Sequence, residues 1–120
     1  MYAESDFLLA LVKDEDWGSE RAESVYRDHE DDLWTSRATL VELLLVAYRE
    51  DLNAKRVVGS AADLLAIRGD EDAVLAAAVY VSDHNFTPFD ALHLVESGGD
   101  TIVSSDDTYD GFAPRLDLRE

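Results

Sequence analysis

The hydrophobic positions of this chain alternate between short runs typical of buried strands and longer stretches with helical spacing. Runs of apolar and β-prone residues at 1–4, 33–36 and 101–104 predict three short strands. Between them, apolar residues recur at helical spacing, which predicts helices over 7–12, 17–29, from 36–39 to 50, 53–67, 73–81 and 88–97. The pattern also allows a short strand at 65–67, where the fourth helix ends, and a last edge strand at 116–118.

Residues that favour helix starts precede several of these segments and are expected to cap them: Ser5 or Asp6, Asn53, Asp70 and Thr87. Proline follows Thr87 at the first helical position of the sixth helix. We expect Gly69 to end the fourth helix and the pair Gly98-Gly99 to end the sixth. The fifth segment, 73–81, is nearly all apolar, so we expect it to be well buried.

Strands that alternate with helices are typical of an α/β fold. We therefore predict a three-layer α/β/α sandwich around a mostly parallel central sheet of four to five short strands. The length of 120 residues is that of one domain, and no linker or internal repeat divides the chain. Residues 1–120 are predicted to form a single domain.

The charge is strongly negative. The chain has 27 acidic and 10 basic residues, a net charge of −17, and only two of the basic residues are lysine. Such a chain repels itself unless salt screens its charges, which at 1 M happens over about 3 Å. We interpret this composition as adaptation to a high-salt cytoplasm. The alternative is an acidic, soluble protein of no special habitat.

Several classes of protein are excluded by what the sequence lacks. There is no cysteine, so disulfides, thiolate metal sites and cysteine nucleophiles are excluded. No apolar run approaches the roughly 20 residues that a membrane-spanning helix needs. Acidic residues stand near the N-terminus, where a signal peptide would be basic. We therefore expect a cytoplasmic protein that does not bind a membrane.

Acidic residues follow the predicted strands and the starts of two helices: Glu4 with Asp6, Glu42, Asp90, and Asp106 with Asp107. The carboxyl ends of parallel strands meet at one edge of a sheet, where open α/β folds bind their ligands. Carboxylates that converge there raise one another's pKa and need a counter-charge. A divalent cation can supply it, and oxygen ligands favour Mg²⁺ or Mn²⁺ over zinc. Such metals activate water and promote the hydrolysis of phosphodiesters.

Two of these acids also have a purely structural interpretation. Thr39 with Glu42, and Thr87 with Asp90, fit the capping-box spacing, in which the acid bonds back to the backbone of the cap. The three histidines show no ligand spacing, and His93, one helical turn after Asp90, is interpreted as a packing residue in preference to a site residue. Spacing alone leaves both interpretations of the acids open.

Three segments of the chain together resemble the PIN domain family, in particular the VapC-type ribonuclease toxins. They are TPFDALHL at 87–94, TIVSSD at 101–106 and TLVELL at 39–44. The N-terminus departs from the family pattern, because Glu4-Ser5-Asp6 stands where the family has Asp-Thr-Asn or Asp-Ser-Asn. A further acid that family members often carry is replaced by Thr108.

The resemblance implies a metal-dependent hydrolysis of single-stranded RNA, with tRNA, rRNA or mRNA as the target. It implies that Mg²⁺ or Mn²⁺ is held by Asp90 and the acid at Glu4 or Asp6, and that Glu42 and Asp106 complete the pocket or hold a second metal. The implied metal ligands are therefore Glu4, Asp6, Asp90 and Asp106. Smaller roles are predicted for residues that orient ligands or contact phosphate: Ser5, Ser105, Arg37 and Arg115.

The resemblance also implies partners. Family members of this type form homodimers and are held inactive by a cognate antitoxin, so the chain is expected to be the toxin of a type II toxin–antitoxin pair. The alternative is a catalytically weak or inactive PIN-like module that binds protein or RNA, which the unusual Glu4 favours.

Overall fold

Five short strands form the centre of the computed structural model, which describes residues 1–13, 18–69 and 73–120. All the strand pairs of this sheet are parallel, and the spatial order is β3-β2-β1-β4-β5. The strands are β1 (Tyr2–Ala3), β2 (Trp34–Ser36), β3 (Ala66–Arg68), β4 (Ile102–Ser104) and β5 (Arg115–Asp117). The predicted short strand near 65–67 and the predicted edge strand near 116–118 are therefore both present.

Helices connect the strands as crossovers. They are α1 (Ser5–Val12), α2 (Ser19–His29), α3 (Arg37–Arg49), α4 (Ala54–Leu64), α5 (Ala73–His84) and α6 (Pro88–Ser97), and a 3-10 turn follows β4 at Asp107–Tyr109. Two helices stand between each of the first three strands and the next, whereas only the 3-10 turn stands between β4 and β5. Long crossover connections of the first kind are typical of parallel neighbouring strands.

The two faces of the sheet contribute to two separate hydrophobic cores, because successive residues of a strand point to opposite sides. Ala3 and Val103 pack on one face with residues of α1 to α4. Tyr2 and Ile102 pack on the other face with residues of α5 and α6. Helices therefore cover both faces, and the predicted α/β/α fold with a parallel sheet is confirmed.

The strand order reverses between β1 and β4. From β1 the chain adds β2 and then β3 on one side, and it returns to place β4 on the other side of β1. In open parallel sheets a crevice forms at such a reversal, outside the carboxyl ends of the strands. The residues that follow β1 and β4 therefore define the expected position of a site.

One expected helix cap is wrong, and the capping box considered for Thr39 and Glu42 does not form. Glu4, not Ser5 or Asp6, caps α1, and its side chain accepts a hydrogen bond from the backbone N–H of Ser5. Ser36 caps α3, with its side chain accepting from the N–H of Thr39. Thr39 consequently lies inside the helix, so Glu42 is not the acid of a capping box and its carboxylate remains available for other contacts.

Of the other predictions about the helices, those for the start of α4 and the end of α6 are confirmed, and the one for the burial of α5 is wrong in part. Asn53 caps α4 as predicted, and Gly98 ends α6 in the left-handed conformation, with φ of 60°. The fifth helix is buried only in part: Ala73 and Ala77 are in the core, whereas Val79 is half exposed. Trp17 and Asp70, named in the predictions for α2 and α5, lie outside the described residues. None of the described helices is long and apolar enough to cross a membrane.

Candidate metal centre

Glu4 lies at the carboxyl end of β1, beside the point where the strand order reverses. Its side chain is almost completely buried, with 6 % of the residue exposed. The Oε1 atom accepts hydrogen bonds from the N–H of Ser5, at 2.9 Å, and from the Ser5 hydroxyl. The Oε2 atom accepts from the hydroxyl of Ser104, at 3.0 Å. Residues that flank two adjacent strand ends therefore fix both oxygens of this carboxylate.

Asp6, in the first turn of α1, faces the end of β4. Its Oδ2 atom accepts from the backbone N–H of Ser105, at 2.8 Å, and from the Ser105 hydroxyl, at 2.5 Å. The other oxygen, Oδ1, is buried and has no hydrogen-bond partner among the described residues. A buried carboxylate oxygen without a partner is costly, so a bound cation or donor at this position would stabilise it.

Asp106 is the second residue after β4 and is hydrogen-bonded to the same serine as Glu4. Its N–H donates to the Ser104 hydroxyl, at 3.0 Å, and its Oδ1 atom accepts from the N–H of Thr108, at 2.9 Å. This second contact caps the 3-10 turn after β4 and uses one carboxylate oxygen. The Ser104 hydroxyl thus connects the backbone of Asp106 to the carboxylate of Glu4.

Glu42, one turn into α3, contacts a histidine that comes from α6. The Nε2 atom of His93 lies 2.7 Å from Oε1 of Glu42 and 3.4 Å from Oε1 of Glu4. The His93 side chain is completely buried, and a fifth of the Glu42 side chain is exposed. His93 therefore lies between two of the acids and is part of the site, contrary to its interpretation as a packing residue.

Asp90, in the first turn of α6, is partly buried and faces Tyr109. The Tyr109 hydroxyl lies 3.4 Å from Oδ1 of Asp90. The pKa of the Tyr109 phenol is strongly raised, first by burial and then by the charges of nearby carboxylates, those of Glu4, Asp90, Asp106 and Glu42. The Tyr109 phenol therefore lies near the carboxylates of four acids: Glu4, Asp90, Asp106 and Glu42.

The pKa values of the acids reflect this crowding. Burial, and then the charge of Asp6, raise the pKa of Glu4 well above its usual value. Burial raises the pKa of Asp90 as well; a hydrogen bond from Thr87 opposes this, and the charge of Asp106 adds to it. Burial acts upward on the pKa of Glu42 too, but the hydrogen bond and charge of His93 outweigh it, and the net direction is down. A bound cation would relieve the charge repulsion that contributes to the raised pKa values of Glu4 and Asp90.

The ligand atoms of Glu4, Glu42 and His93 lie within 4.8 Å of one another, close enough to share one metal ion. Together with the unpartnered oxygen of Asp6, this donor set fits a divalent cation. Among the described residues this is the group of His and acidic side chains that converges most closely. The predicted ligand set of Glu4, Asp6, Asp90 and Asp106 stays a prediction.

The two arginines predicted to contact phosphate differ in how they are engaged. Arg115 forms ion pairs with Asp110 and Asp117 and donates to the carbonyl oxygen of Ser104, so its own chain uses its guanidinium. Arg37 is exposed at the start of α3, with its guanidinium close beside Gly69. Arg37 is therefore the freer of the two to meet a ligand at this edge of the sheet.

Comparison with known proteins identifies the family. The family model described as "PIN domain" matches residues 1–113. The chain belongs to the PIN domain family. This match confirms the resemblance that the three motif segments indicated. A separate comparison with curated proteins finds no match.

Two solved structures have the same fold as this PIN domain. Mycobacterium tuberculosis VapC20, described as a sarcin-ricin loop cleaving toxin, has a TM-score of 0.70 at 17 % identity, over 84 % of this chain and 85 % of its own. FitAcB from Neisseria gonorrhoeae has a TM-score of 0.70 at 14 % identity, over 99 % of this chain and 98 % of the matched chain. At these identities the likeness shows the fold alone.

Sequence reasoning missed three residues of this PIN-domain site. His93 carried a usable signal, because its position three residues after Asp90 places both on one side of α6. Tyr109 and Ser104 carried none, since their roles depend on how the 3-10 turn and β4 place them against the other acids.

Proposed function

We propose that this PIN domain is a metal-dependent endoribonuclease. The observation that carries the proposal is the convergence of acids from four parts of the chain at the strand reversal, where they contact Ser104, His93 and Tyr109: Glu4, Asp6, Glu42, Asp90 and Asp106. Burying like charges together is costly, and a fold that only needed stability would be better served by apolar residues there. The arrangement is useful once a cation neutralises it.

The cofactor proposed is Mg²⁺ or Mn²⁺. Glu4, Asp6, Asp90 and Asp106 are the ligands that the family pattern implies, and Glu42 lies where it can complete the pocket. When bound, the cation supplies the charge that stabilises a phosphodiester under attack by water. The residues of the chain hold the carboxylates in place: Ser104 fixes Glu4, Ser105 fixes Asp6, and Tyr109 faces Asp90.

The proposed substrate is single-stranded RNA, from tRNA, rRNA or mRNA. VapC20 is described as cleaving the sarcin-ricin loop, which supports an RNA target for a chain of the same fold. Arg37 is proposed to contact a phosphate, because it is exposed at the carboxyl end of β2. Arg115 would contact phosphate only after its ion pairs open. Ser5 and Ser105 are proposed to orient the ligands, because their hydroxyls donate hydrogen bonds to the carboxylates of Glu4 and Asp6.

The proposed biological role is that of a type II toxin held inactive by an antitoxin, in the cytoplasm. The VapC20 structure is that of a toxin, which supports this role for a related fold. We also propose a homodimer formed through the outer face of α3, where apolar side chains recur at helical spacing and are exposed: Val41, Leu44, Leu45 and Tyr48. Exposed apolar surface of this kind marks interaction sites.

The alternative is a PIN-like module without catalytic activity. One observation favours it: Nε2 of His93 lies 2.7 Å from Oε1 of Glu42 and 3.4 Å from Oε1 of Glu4, so an N–H at this nitrogen can satisfy Glu42 by a hydrogen bond without a metal. In that case the acids would be stable as they are, and the fold would serve only to bind protein or RNA.

Cleavage of single-stranded RNA by the purified protein, at high ionic strength and with Mn²⁺ present, separates the two functions. We expect cleavage that stops when the metal is chelated. Asp90→Asn should lower the rate by about 100-fold or more, because charge stabilisation by a metal contributes several kcal/mol. Asp83→Asn, the same change at an exposed residue of α5, is the matched control and should keep the wild-type rate. Equal cleavage by Asp90→Asn would refute the proposal.

A further inference from the structure

The imidazole of His93 presents one nitrogen to the acids of the site. Its Nε2 atom is 2.7 Å from Oε1 of Glu42 and 3.4 Å from Oε1 of Glu4. The ring is completely buried, so solvent does not compete for this nitrogen. A ring at this position can either hold Glu42 by a hydrogen bond or bind the same cation as the two carboxylates.

The spacing suits a shared cation. Ligand atoms about 2.1 Å from an octahedral Mg²⁺ or Mn²⁺ stand about 3 Å apart along each edge of the octahedron. The two distances from Nε2 lie on either side of that value. Both carboxylates can therefore occupy positions adjacent to the histidine around one ion with only small side-chain movements.

The other nitrogen of the ring is held by a phenol. The Nδ1 atom of His93 is 2.8 Å from the hydroxyl of Tyr2, which is also 2.7 Å from the hydroxyl of Ser36. The phenol oxygen can accept a hydrogen bond from Nδ1–H while its own proton goes to Ser36. With this tautomer the lone pair of Nε2 would face a cation held by the carboxylates; without a cation, the same nitrogen must instead carry a proton to hydrogen-bond Glu42. Hydrogen bonds of this kind to the far nitrogen orient histidines that bind metals.

We propose that His93 is a direct metal ligand through Nε2, together with Glu4 and Glu42, and that Tyr2 is the positioning residue that orients it. This inference rests on the proposed metal-dependent function. It adds the Nε2 nitrogen of His93 to a proposed ligand set that otherwise consists of carboxylate oxygens. Imidazole nitrogen binds Mn²⁺ better than Mg²⁺, which prefers oxygen ligands and retains its water. The site is therefore selective for Mn²⁺ over Mg²⁺.

Pulsed electron paramagnetic resonance of the full chain loaded with Mn²⁺ tests the ligand directly, because a bound imidazole gives a characteristic ¹⁴N modulation. We expect that modulation in the wild type and in His84→Gln, the same substitution at an exposed histidine of α5. It should be absent in His93→Gln. The ratio of Mn²⁺ to Mg²⁺ affinity should fall about tenfold in His93→Gln.

The outcomes distinguish this inference from the function on which it rests. Mn²⁺ that binds the wild type without ¹⁴N modulation overturns the inference and leaves the proposed function intact, with His93 holding Glu42 by a hydrogen bond. Failure of the wild type to bind Mn²⁺ at millimolar concentration overturns both. Tyr2→Phe provides a second variant: it should keep the ¹⁴N modulation and weaken Mn²⁺ binding by about tenfold, and unchanged affinity would contradict the role of Tyr2.

Discussion

Replacement of Glu4 by glutamine should stabilise the metal-free protein and abolish its stabilisation by metal. Glu4 is buried next to Asp6, and burial with that charge raises its pKa well above the usual value of about 4.5. Glutamine has nearly the same shape, and its oxygen can still accept the hydrogen bond from the N–H of Ser5 that caps α1. The substitution therefore removes a buried charge while it changes little of the packing.

The size of the effect follows from the coupling between ionisation and folding. Below pH 4.5 Glu4 is protonated in both the folded and the unfolded chain, so the substitution should have little effect there. As the pH rises towards the folded-state pKa, ionisation of the unfolded chain progressively destabilises the wild type. Because one pH unit corresponds to about 1.4 kcal/mol, the advantage of Glu4→Gln at pH 7 cannot exceed about 3 kcal/mol. We expect about 1–3 kcal/mol.

Urea unfolding of the metal-free protein at pH 4, 5, 6 and 7 measures this difference, with Trp34 as a buried fluorescent reporter. Glu23→Gln removes the same charge from an exposed position of α2 and should change the free energy of unfolding by no more than about 0.5 kcal/mol. With Mn²⁺ at about 1,000 times the wild-type Kd the order should reverse, because the metal stabilises the wild type by about 4.1 kcal/mol and does not bind the variant. A Glu4→Gln protein that is less stable than wild type at pH 7 without metal would refute the reasoning.

Three further predictions concern single positions. Ser104→Ala should weaken Mn²⁺ binding by about tenfold in a calorimetric titration, because the lost hydroxyl orients Glu4. Gly98→Ala should lower the free energy of unfolding by about 1–2 kcal/mol, since φ at this position is positive. Gly59→Ala, within α4, should raise it by about 0.5–1 kcal/mol. Urea unfolding measures both, and a change in the same direction for the two variants would contradict this reasoning. Leu44→Asp should shift the dimer to monomer in sedimentation, and dimerisation of the wild type should strengthen with salt, because each chain carries a charge of −17.

Much of the fold was predictable because the strands and helices differ in their hydrophobic period. The glycine pair after α6 and Asn53 before α4 gave reliable boundaries, since both depend on local backbone chemistry. The cap of α1 was not predictable in this way. Glutamate is a rare cap, and Glu4 takes that role because the edge of β4 holds its carboxylate from the other side.

The sequence was enough to select the acidic residues of the candidate site, but it did not predict which residues those acids contact. Strand ends and the motif segments were enough to select Glu42 and Asp90, but the histidine between the acids is placed by the packing of α6 against β1. Its ring orientation depends on Tyr2, which lies 91 positions away in the chain. The burial of α5 was also overestimated, because an apolar helix need not bury every face: Ala73 and Ala77 are in the core, whereas Val79 is half exposed.

Calorimetric titration of Mn²⁺ into the metal-free protein at high ionic strength is the most direct test of the central claim, that the acids at the strand reversal form a metal centre. The account predicts saturable binding by the wild type and by Asp83→Asn. It predicts that binding is lost, or weakened by at least about 100-fold, in both Glu4→Gln and Asp90→Asn. Absence of binding by the wild type, or binding that is the same in all four proteins, would contradict it.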